Sequence, residues 1–230
     1  MPRPARPSPA FSPARLLTGL ALIAAALLMG LLTRTSALAQ VDHVLSSAAI
    51  SARTPALTGI AQLFTPLASP LGSVALAAVA VIALVAATRR WWSGLLVIAS
   101  TSGAGVLTDW LKEVSGRERP PETLRLVHET SPAFPSGHST GAASLVTAIV
   151  LVLVLCGAVR TRRARAALIA AAAAWVVTTA LIRIYLGVHW PSDTVGGALV
   201  GAGAAIALSS WWPSEKIVAE PGQREHPSAP

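Results

Sequence analysis

The sequence predicts an all-α integral membrane protein, a helical bundle with about six transmembrane helices. Hydrophobic residues make up 53% of the 230 residues and charged residues only 12%, and the mean hydropathy is +0.61. A chain this apolar lies outside the range of ordinary soluble domains. Nearly charge-free apolar stretches also recur at the roughly 17 to 25 residues that a spanning helix requires. They cover residues 16–32, 71–88, 92–108, 140–157, 166–182 and 195–212.

The N-terminal region divides into a tail and a first span. Residues 1–15 contain five prolines, which predicts a disordered cytoplasmic tail because proline interrupts helices. The apolar stretch 16–32 is followed by Ala37-Leu38-Ala39, and this combination also resembles a cleavable signal peptide. We favour a retained helix, because the apolar run exceeds the roughly 7–15 residues of a signal core.

The connector after the first span, residues 41–69, mixes apolar and polar residues and is interrupted by prolines. This pattern predicts short amphipathic helices on the outer membrane surface, which either roof a site or simply join two spans. The membrane domain is predicted to cover residues 16–213, and a second disordered tail to cover 214–230. The run Ala170–Ala174 predicts close helix packing, because small residues let two backbones approach.

Positive charges sort by side of the membrane. The net charge of +8 would suit nucleic-acid binding, but most lysines and arginines fall on one side of the membrane. With the N-terminus inside, the arginines at 89, 90 and 160–165 are all cytoplasmic, which follows the positive-inside tendency. The sequence therefore predicts a multi-pass protein of the cell membrane with both termini in the cytoplasm. Its partner is the lipid bilayer, and no nucleic-acid partner is expected.

Three polar clusters interrupt the apolar chain, and all three fall on the outer side of this topology. They are Lys112–Pro120, Pro135–His138 and Arg183–Asp193. Ionisable groups beside membrane spans are costly and usually functional. The second and third clusters precede spans that run from outside to inside. The N-termini of both helices therefore open outward and offer backbone N–H groups to an anion.

The clusters contain the groups that would bind a phosphate. Positive charge comes from Lys112, Arg119 and Arg183, and an arginine can hold two oxygens at once. Ser136 adds a hydroxyl donor, and Gly137 lets the backbone come close to a ligand oxygen. These five residues are the predicted phosphate-binding set.

Two histidines and one carboxylate supply the predicted catalytic groups. Asp193 follows His189 by four residues, a spacing that brings a carboxylate to an imidazole nitrogen on a helical turn. The carboxylate would hold one tautomer while the other nitrogen attacks phosphorus. His138 begins a helix beside the phosphate and is placed to protonate the leaving group.

The other arginines and histidines near the clusters are not assigned to the site. Arg117 and Arg125 would suit a second phosphate, but solvated loop charge is the favoured interpretation of each. The outer clusters hold few carboxylates and several cations, which disfavours a metal ion. The remaining histidines match no ligand spacing. We therefore expect no metal and no cofactor.

These motifs, in this order and spacing, resemble the three signature motifs of the type 2 phosphatidic-acid phosphatase superfamily. That family includes lipid phosphate phosphatases, undecaprenyl-diphosphate phosphatases and vanadium haloperoxidases. The resemblance implies that His189 forms a phosphohistidine with support from Asp193, and that His138 frees the alcohol. It also implies metal-free binding of the phosphate by the set named above. Ile182 departs from the third motif, which commonly has a serine before its arginine.

The sequence therefore predicts a membrane phosphatase that hydrolyses a phosphomonoester or diphosphate of a lipid at the outer face. A phosphotransferase using the same site remains an alternative, as does a non-catalytic protein that binds or transports anionic lipids. Haloperoxidase activity is disfavoured because those relatives are mostly soluble. The motifs do not distinguish undecaprenyl diphosphate, phosphatidylglycerol phosphate and phosphatidic acid, and they leave the oligomeric state undetermined.

Overall fold

The fold is a bundle of α-helices, as the sequence predicts. The computed structural model describes residues 8–9 and 11–214. Within them, eight α-helices are α1 (Pro13–Leu32), α2 (Ser36–Ser51), α3 (Pro55–Ala68), α4 (Pro70–Thr88), α5 (Trp91–Ser115), α6 (Gly137–Leu155), α7 (Arg162–Tyr185) and α8 (Pro191–Leu208). Short 3-10 helices occur at Glu122–Leu124 and Ser209–Trp211, and β1 (Ser8–Pro9) pairs antiparallel with β2 (Pro213–Ser214).

Six of these helices are long and apolar enough to cross a membrane, which confirms the predicted number of spans. They are α1, α4, α5, α6, α7 and the helical segment Pro191–Trp211 that contains α8. The two remaining helices, α2 and α3, are the short helices predicted for the connector after the first span. The protein is therefore a multi-pass membrane protein.

The predicted N-terminal tail is too long by three residues. Helix α1 begins at Pro13, because Ser12 caps it by accepting a hydrogen bond from the Arg15 N–H at 3.4 Å. Proline is tolerated in the first helical turn, where its missing N–H has no intrahelical partner to lose. Of that tail, residues 1–7 and 10 lie outside the described residues, as do residues 215–230 of the predicted C-terminal tail.

The connections fall at two opposite ends of the bundle. The arginine-rich connections, at residues 89–90 and at 156–161 with the adjoining first turn of α7, share one end with the start of α1 and the end of α8. There the Ser12 N–H donates to the Ser210 carbonyl at 2.9 Å. The opposite end carries the connector helices α2 and α3, and all three polar clusters meet there.

Helix α8 packs closely against α6 through glycine. A Cβ atom added at Gly197 or Gly201 would lie within 3.0 Å of the backbone oxygen of Ser136 or Thr140, respectively. The run Ala170–Ala174, in contrast, is largely exposed on α7. The prediction that this alanine run marks close packing is wrong within the described residues, because most of its side chains are exposed and not packed against another helix.

Phe134 anchors the loop that leads into α6. Its ring is buried between α1 and α8. A Cβ atom added at Gly30 would lie 2.9 Å from ring atom Cε1, and one at Gly196 would lie within 3.0 Å of two ring atoms. These two glycines form the slot that holds the loop preceding the second polar cluster.

Replacing Gly196 with alanine is therefore expected to lower the melting temperature in detergent. The added methyl group would overpack the Phe134 slot, at a cost of about 1 to 3 kcal/mol. Gly59→Ala is the matched control, because nothing lies within 4 Å of a Cβ atom at that position. Equal melting temperatures for Gly196→Ala and Gly59→Ala would contradict the slot.

Candidate active site

The predicted site residues come from four helix ends and two loops at one end of the bundle. Lys112 lies in the last turn of α5, and Arg183 lies in the last turn of α7. Ser136 caps the N-terminus of α6, His189 lies in the loop between α7 and α8, and Asp193 lies in the first turn of α8. Helix ends therefore deliver residues up to 81 positions apart in sequence to one site.

His189 is held in a defined tautomer. Its side chain is 1% exposed, and Nε2 lies 3.2 Å from Nη1 of Arg119. Because a guanidinium group only donates, Nε2 is the acceptor and the ring proton is on Nδ1. Nδ1 lies 3.5 Å from Oδ2 of Asp193, an ion-pair distance longer than a hydrogen bond, and has no hydrogen-bond partner among the described residues. The unprotonated nitrogen is thus Nε2, whose lone pair accepts from Arg119.

Burial lowers the pKa of His189 well below 6.5, the value of an unperturbed histidine. The positive charges of Arg119, Arg183 and Lys112 lower this pKa further. His189 is consequently neutral at physiological pH, so its lone pair is available without prior loss of a proton. All three predicted phosphate-binding cations therefore lie close enough to this ring to influence its pKa.

The apo protein is expected to lose stability as the pH falls below about 6.5, in part because of His189. An unfolded histidine takes up a proton there, whereas folded His189 does not, so acid favours the unfolded state by up to about 1.4 kcal/mol per pH unit. Thermal unfolding of His189→Gln in detergent should show a shallower pH dependence than wild type. His128→Gln, in an exposed loop, is the control. Equal slopes for wild type and His189→Gln would contradict the assignment.

Arg183 offers two unused hydrogen-bond donors. Its side chain is 1% exposed, and its Nη2 contacts Oε1 of Glu129. Its Nε and Nη1 are buried and have no hydrogen-bond partner within the part of the chain that the structure describes. Buried donors are rarely left unpaired because the loss of water is costly. These two N–H groups therefore indicate an anion site.

Arg119 and Lys112 are held by backbone oxygens of the loops before α6 and before α8. Arg119 donates from Nε to the Ser131 carbonyl at 2.6 Å and from Nη1 to the Val188 carbonyl at 2.7 Å. Lys112 donates from Nζ to the Pro132 carbonyl at 2.5 Å. Burial lowers the pKa of Arg119, but the group stays charged because an arginine is not deprotonated in proteins.

Glu129 lies between the two arginines and was missed by the sequence analysis. Its Oε1 contacts Arg183, and its Oε2 lies 3.6 Å from Nη2 of Arg119. A carboxylate that bridges two cations stands where the oxygens of an anionic ligand would bind. The only signal in the sequence is its position between the first two clusters, which does not distinguish it from Glu122.

The N-terminus of α6 completes the site. The hydroxyl oxygen of Ser136 is buried and accepts from the Ser139 N–H at 3.4 Å. Open space surrounds Gly137, where an added Cβ would meet nothing within 4 Å. His138 is nearly buried in the first turn and interacts electrostatically with both Arg183 and His189. The structure thus brings all eight predicted site residues to one end of the bundle.

Arg117 contradicts the interpretation as a solvated loop charge. Its side chain is 13% exposed, and it forms ion pairs with Asp193 and, at 2.7 Å, with Asp42. The sequence analysis also missed Asp42, although a signal existed, because it is the only carboxylate among residues 1–108. Arg125 is half-buried and donates from Nε to the Pro120 carbonyl at 2.8 Å.

Two cavities adjoin the cluster. One of about 680 Å³ opens at the end of the bundle, and its walls include Arg119, Arg125 and Trp190. Another of about 350 Å³ lies between α4, α5 and α6 and reaches Gly137 and Thr140. The described residues contain no group of three histidine, cysteine or acidic side chains that would hold a metal ion. The arrangement is suited to binding an anion beside a neutral imidazole.

Comparisons with known proteins identify the family of the chain. A sequence profile of the PAP2 superfamily matches residues 90–217, more than half of the chain. The chain is 32% identical over 176 residues to phosphatidylglycerophosphatase B of Bacillus subtilis (strain 168), covering 76% of this chain and 85% of the relative. It is 35% identical over 153 residues to decaprenylphosphoryl-5-phosphoribose phosphatase of Mycolicibacterium smegmatis, covering 65% and 76% of the two chains.

The fold is similar to that of a crystal structure of a transmembrane PAP2 type phosphatidylglycerolphosphate phosphatase from Bacillus subtilis. The two structures superpose with a TM-score of 0.75 at 28% sequence identity. The match covers 84% of this chain and 94% of the other. Similarity therefore extends through the whole bundle and is not confined to the motifs.

Proposed function

The chain belongs to the PAP2 superfamily of membrane lipid phosphatases, and we propose that it hydrolyses a lipid phosphomonoester or diphosphate through a phosphohistidine on His189. One observation carries the proposal. The Nε2 lone pair of a neutral, buried histidine lies among three cations, one of which, Arg183, has two buried N–H groups free to bind an anion. No metal is part of the proposed mechanism.

In the first half-reaction, Nε2 of His189 attacks phosphorus and the P–O bond to the lipid alcohol breaks. His138, protonated at the start of this step, donates its proton to the leaving oxygen and becomes neutral, so a phosphomonoester releases a neutral alcohol and a diphosphate releases a lipid monophosphate. Lys112, Arg119 and Arg183 bind the phosphoryl oxygens, where charge is spread in the transition state. Asp193 faces the protonated Nδ1 and stabilises the positive charge that develops on the ring.

In the second half-reaction, water attacks phosphorus on the side opposite to Nε2. His138, which has lost its proton to the alcohol, takes one from the water. The P–N bond breaks, inorganic phosphate forms, and His189 returns to its neutral state. Ser136 and Gly137, at the N-terminus of α6, support the phosphoryl group with the positive end of the helix dipole in both steps.

The two relatives named above are lipid phosphatases, which favours a lipid substrate. We infer that the lipid remains between helices while its phosphate enters the cationic end of the bundle. The cavity between α4, α5 and α6 supports this arrangement because it connects the apolar part of the bundle with Gly137. The arginine-rich connections at the opposite end support an outward-facing site with both termini in the cytoplasm.

Phosphate release from three lipids tests the proposal. Purified protein in detergent, with EDTA present, is given phosphatidylglycerol phosphate, undecaprenyl diphosphate or phosphatidic acid. We expect chelator-resistant release of phosphate from at least one lipid without an added acceptor. Release that requires an alcohol acceptor would instead indicate a phosphotransferase. Absence of release from all three lipids would contradict the proposed hydrolysis.

A further inference from the structure

Asp42 is a buried carboxylate outside the three motifs. It lies on the connector helix α2 and is 1% exposed. Its partner on α8, Ser192, is 150 residues away in the sequence. Its Oδ1 accepts from the Ser192 N–H at 2.9 Å, and its Oδ2 accepts from the Ser192 hydroxyl at 2.6 Å. Asp42 therefore joins α2 to the first turn of α8, the turn that also carries Asp193.

Arg117 connects this carboxylate to the predicted catalytic pair. One arm of its guanidinium group, Nη2, lies 2.7 Å from Oδ2 of Asp42. The other arm, Nη1, contacts Oδ1 of Asp193, whose second oxygen faces Nδ1 of His189. The side chains of Asp42, Arg117, Asp193 and His189 therefore form a continuous chain of contacts from α2 to the proposed nucleophile.

The net charge of these contacting side chains determines how well a cationic His189 is stabilised during the reaction. An ion pair of Arg117 and Asp193 without Asp42 would have no net charge and would stabilise a cationic His189 poorly. Asp42 shares the guanidinium group, so the three side chains together carry one negative charge. The low dielectric of a buried site strengthens such interactions. The carboxylate of Asp42 also holds the guanidinium group of Arg117 between the two carboxylates. Oδ2 of Asp193 can then face the imidazole.

The aromatic neighbours hold the same geometry. Arg117 lies 5.9 Å from the ring centroid of Trp190, and His43, next to Asp42, packs edge-on against that ring at 4.6 Å. The backbone N–H of Trp190 in turn donates to Oδ2 of Asp193 at 2.8 Å. Two adjacent residues of α2 thus make separate contacts, His43 with the loop that carries His189 and Asp42 with the first turn of α8.

We propose that Asp42 and Arg117 are positioning residues that orient Asp193 and maintain the negative charge that stabilises His189 during phosphoryl transfer. The inference rests on the proposed function of the site. Neither residue is assigned to the phosphate, so removing the charge of Asp42 should affect kcat and leave KM almost unchanged. A purely structural link between α2 and α8 would instead alter stability without acting through Asp193.

The test compares Asp42→Asn in two backgrounds, wild type and Asp193→Asn. Asparagine keeps the shape and an acceptor for the Ser192 N–H but removes the charge. We expect kcat to fall about 10-fold to 100-fold in the wild-type background, as for other groups that support a catalytic side chain, with KM changed less than about threefold. In the Asp193→Asn background the same change should have almost no further effect, measured as single-turnover phosphate release with enzyme in excess.

Glu122→Gln is the matched control, an exposed carboxylate on a short 3-10 helix at the same end of the bundle, and should leave kcat unchanged. An unchanged kcat in Asp42→Asn would overturn the inference, and so would equal losses in both backgrounds. If Asp42→Asn fails to fold, Arg117→Lys carries the same comparison because it retains the charge but lacks the two-armed contact. Inactivity of wild type towards every lipid would instead refute the proposed function.

Discussion

Replacing His189 with alanine is expected to lower phosphate release by at least about 10⁴-fold, because the variant lacks the group that attacks phosphorus. The lipid should still bind, since Lys112, Arg119 and Arg183 remain, so a large loss in kcat should accompany a small change in KM. Release of phosphate from the lipid that wild type uses best provides the measurement. His128→Ala, in an exposed loop, is the matched control and should retain wild-type activity.

Activity of His189→Ala within about tenfold of wild type would contradict the nucleophile assignment. Residual catalysis by the cations alone is expected to be small, because positioned charges without a nucleophile supply only part of the rate enhancement. A non-catalytic lipid-binding protein would show no release in either form, so wild-type activity separates that alternative from the enzyme.

Replacing Arg183 with lysine is expected to lower kcat/KM by about 10² to 10³-fold. Lysine preserves the positive charge but not the planar group whose Nε and Nη1 are buried and unpaired within the described chain. The loss should appear both in turnover and in the affinity for inorganic phosphate as a competitive inhibitor. Arg163→Lys is the control, an exposed arginine at the opposite end of the bundle.

Unchanged inhibition by inorganic phosphate in Arg183→Lys would contradict the binding role of the two free donors. A variant with a lower melting temperature but unchanged kinetics would also contradict the binding role. The weakened ion pair with Glu129 would then explain the whole effect. Melting temperatures in detergent, measured beside the kinetics, separate the two effects.

The spans and the composition of the site could be predicted from the sequence because both are local properties. An apolar run of sufficient length predicts a spanning helix, and the alternation of helix directions brings the three polar clusters to one end. His189 and Asp193 are only four residues apart, on either side of the start of α8, so their approach to 3.5 Å is a local contact. His138 and Ser136 are likewise positioned by the start of one helix.

Long-range pairing could not be predicted in the same way. Asp42 reaches Ser192 only because α2 packs over the start of α8, a tertiary contact that no sequence spacing encodes. The partners of Arg117 depend on the same contact, so the residue was interpreted as a solvated charge. Close packing was assigned to the alanine run on α7, whereas Gly197 and Gly201 make it on α8, because composition alone does not show which face of a helix meets a neighbour.

Trapping of the phosphoenzyme tests the central claim most directly. Wild type is mixed with its lipid substrate, quenched in alkali during turnover, digested and analysed by mass spectrometry for acid-labile phosphate. We predict phosphate on the peptide that contains His189 and not on the peptide that contains His138, and no phosphopeptide from His189→Ala. Turnover with phosphate on His138, or a trapped phosphopeptide in His189→Ala, would contradict the mechanism.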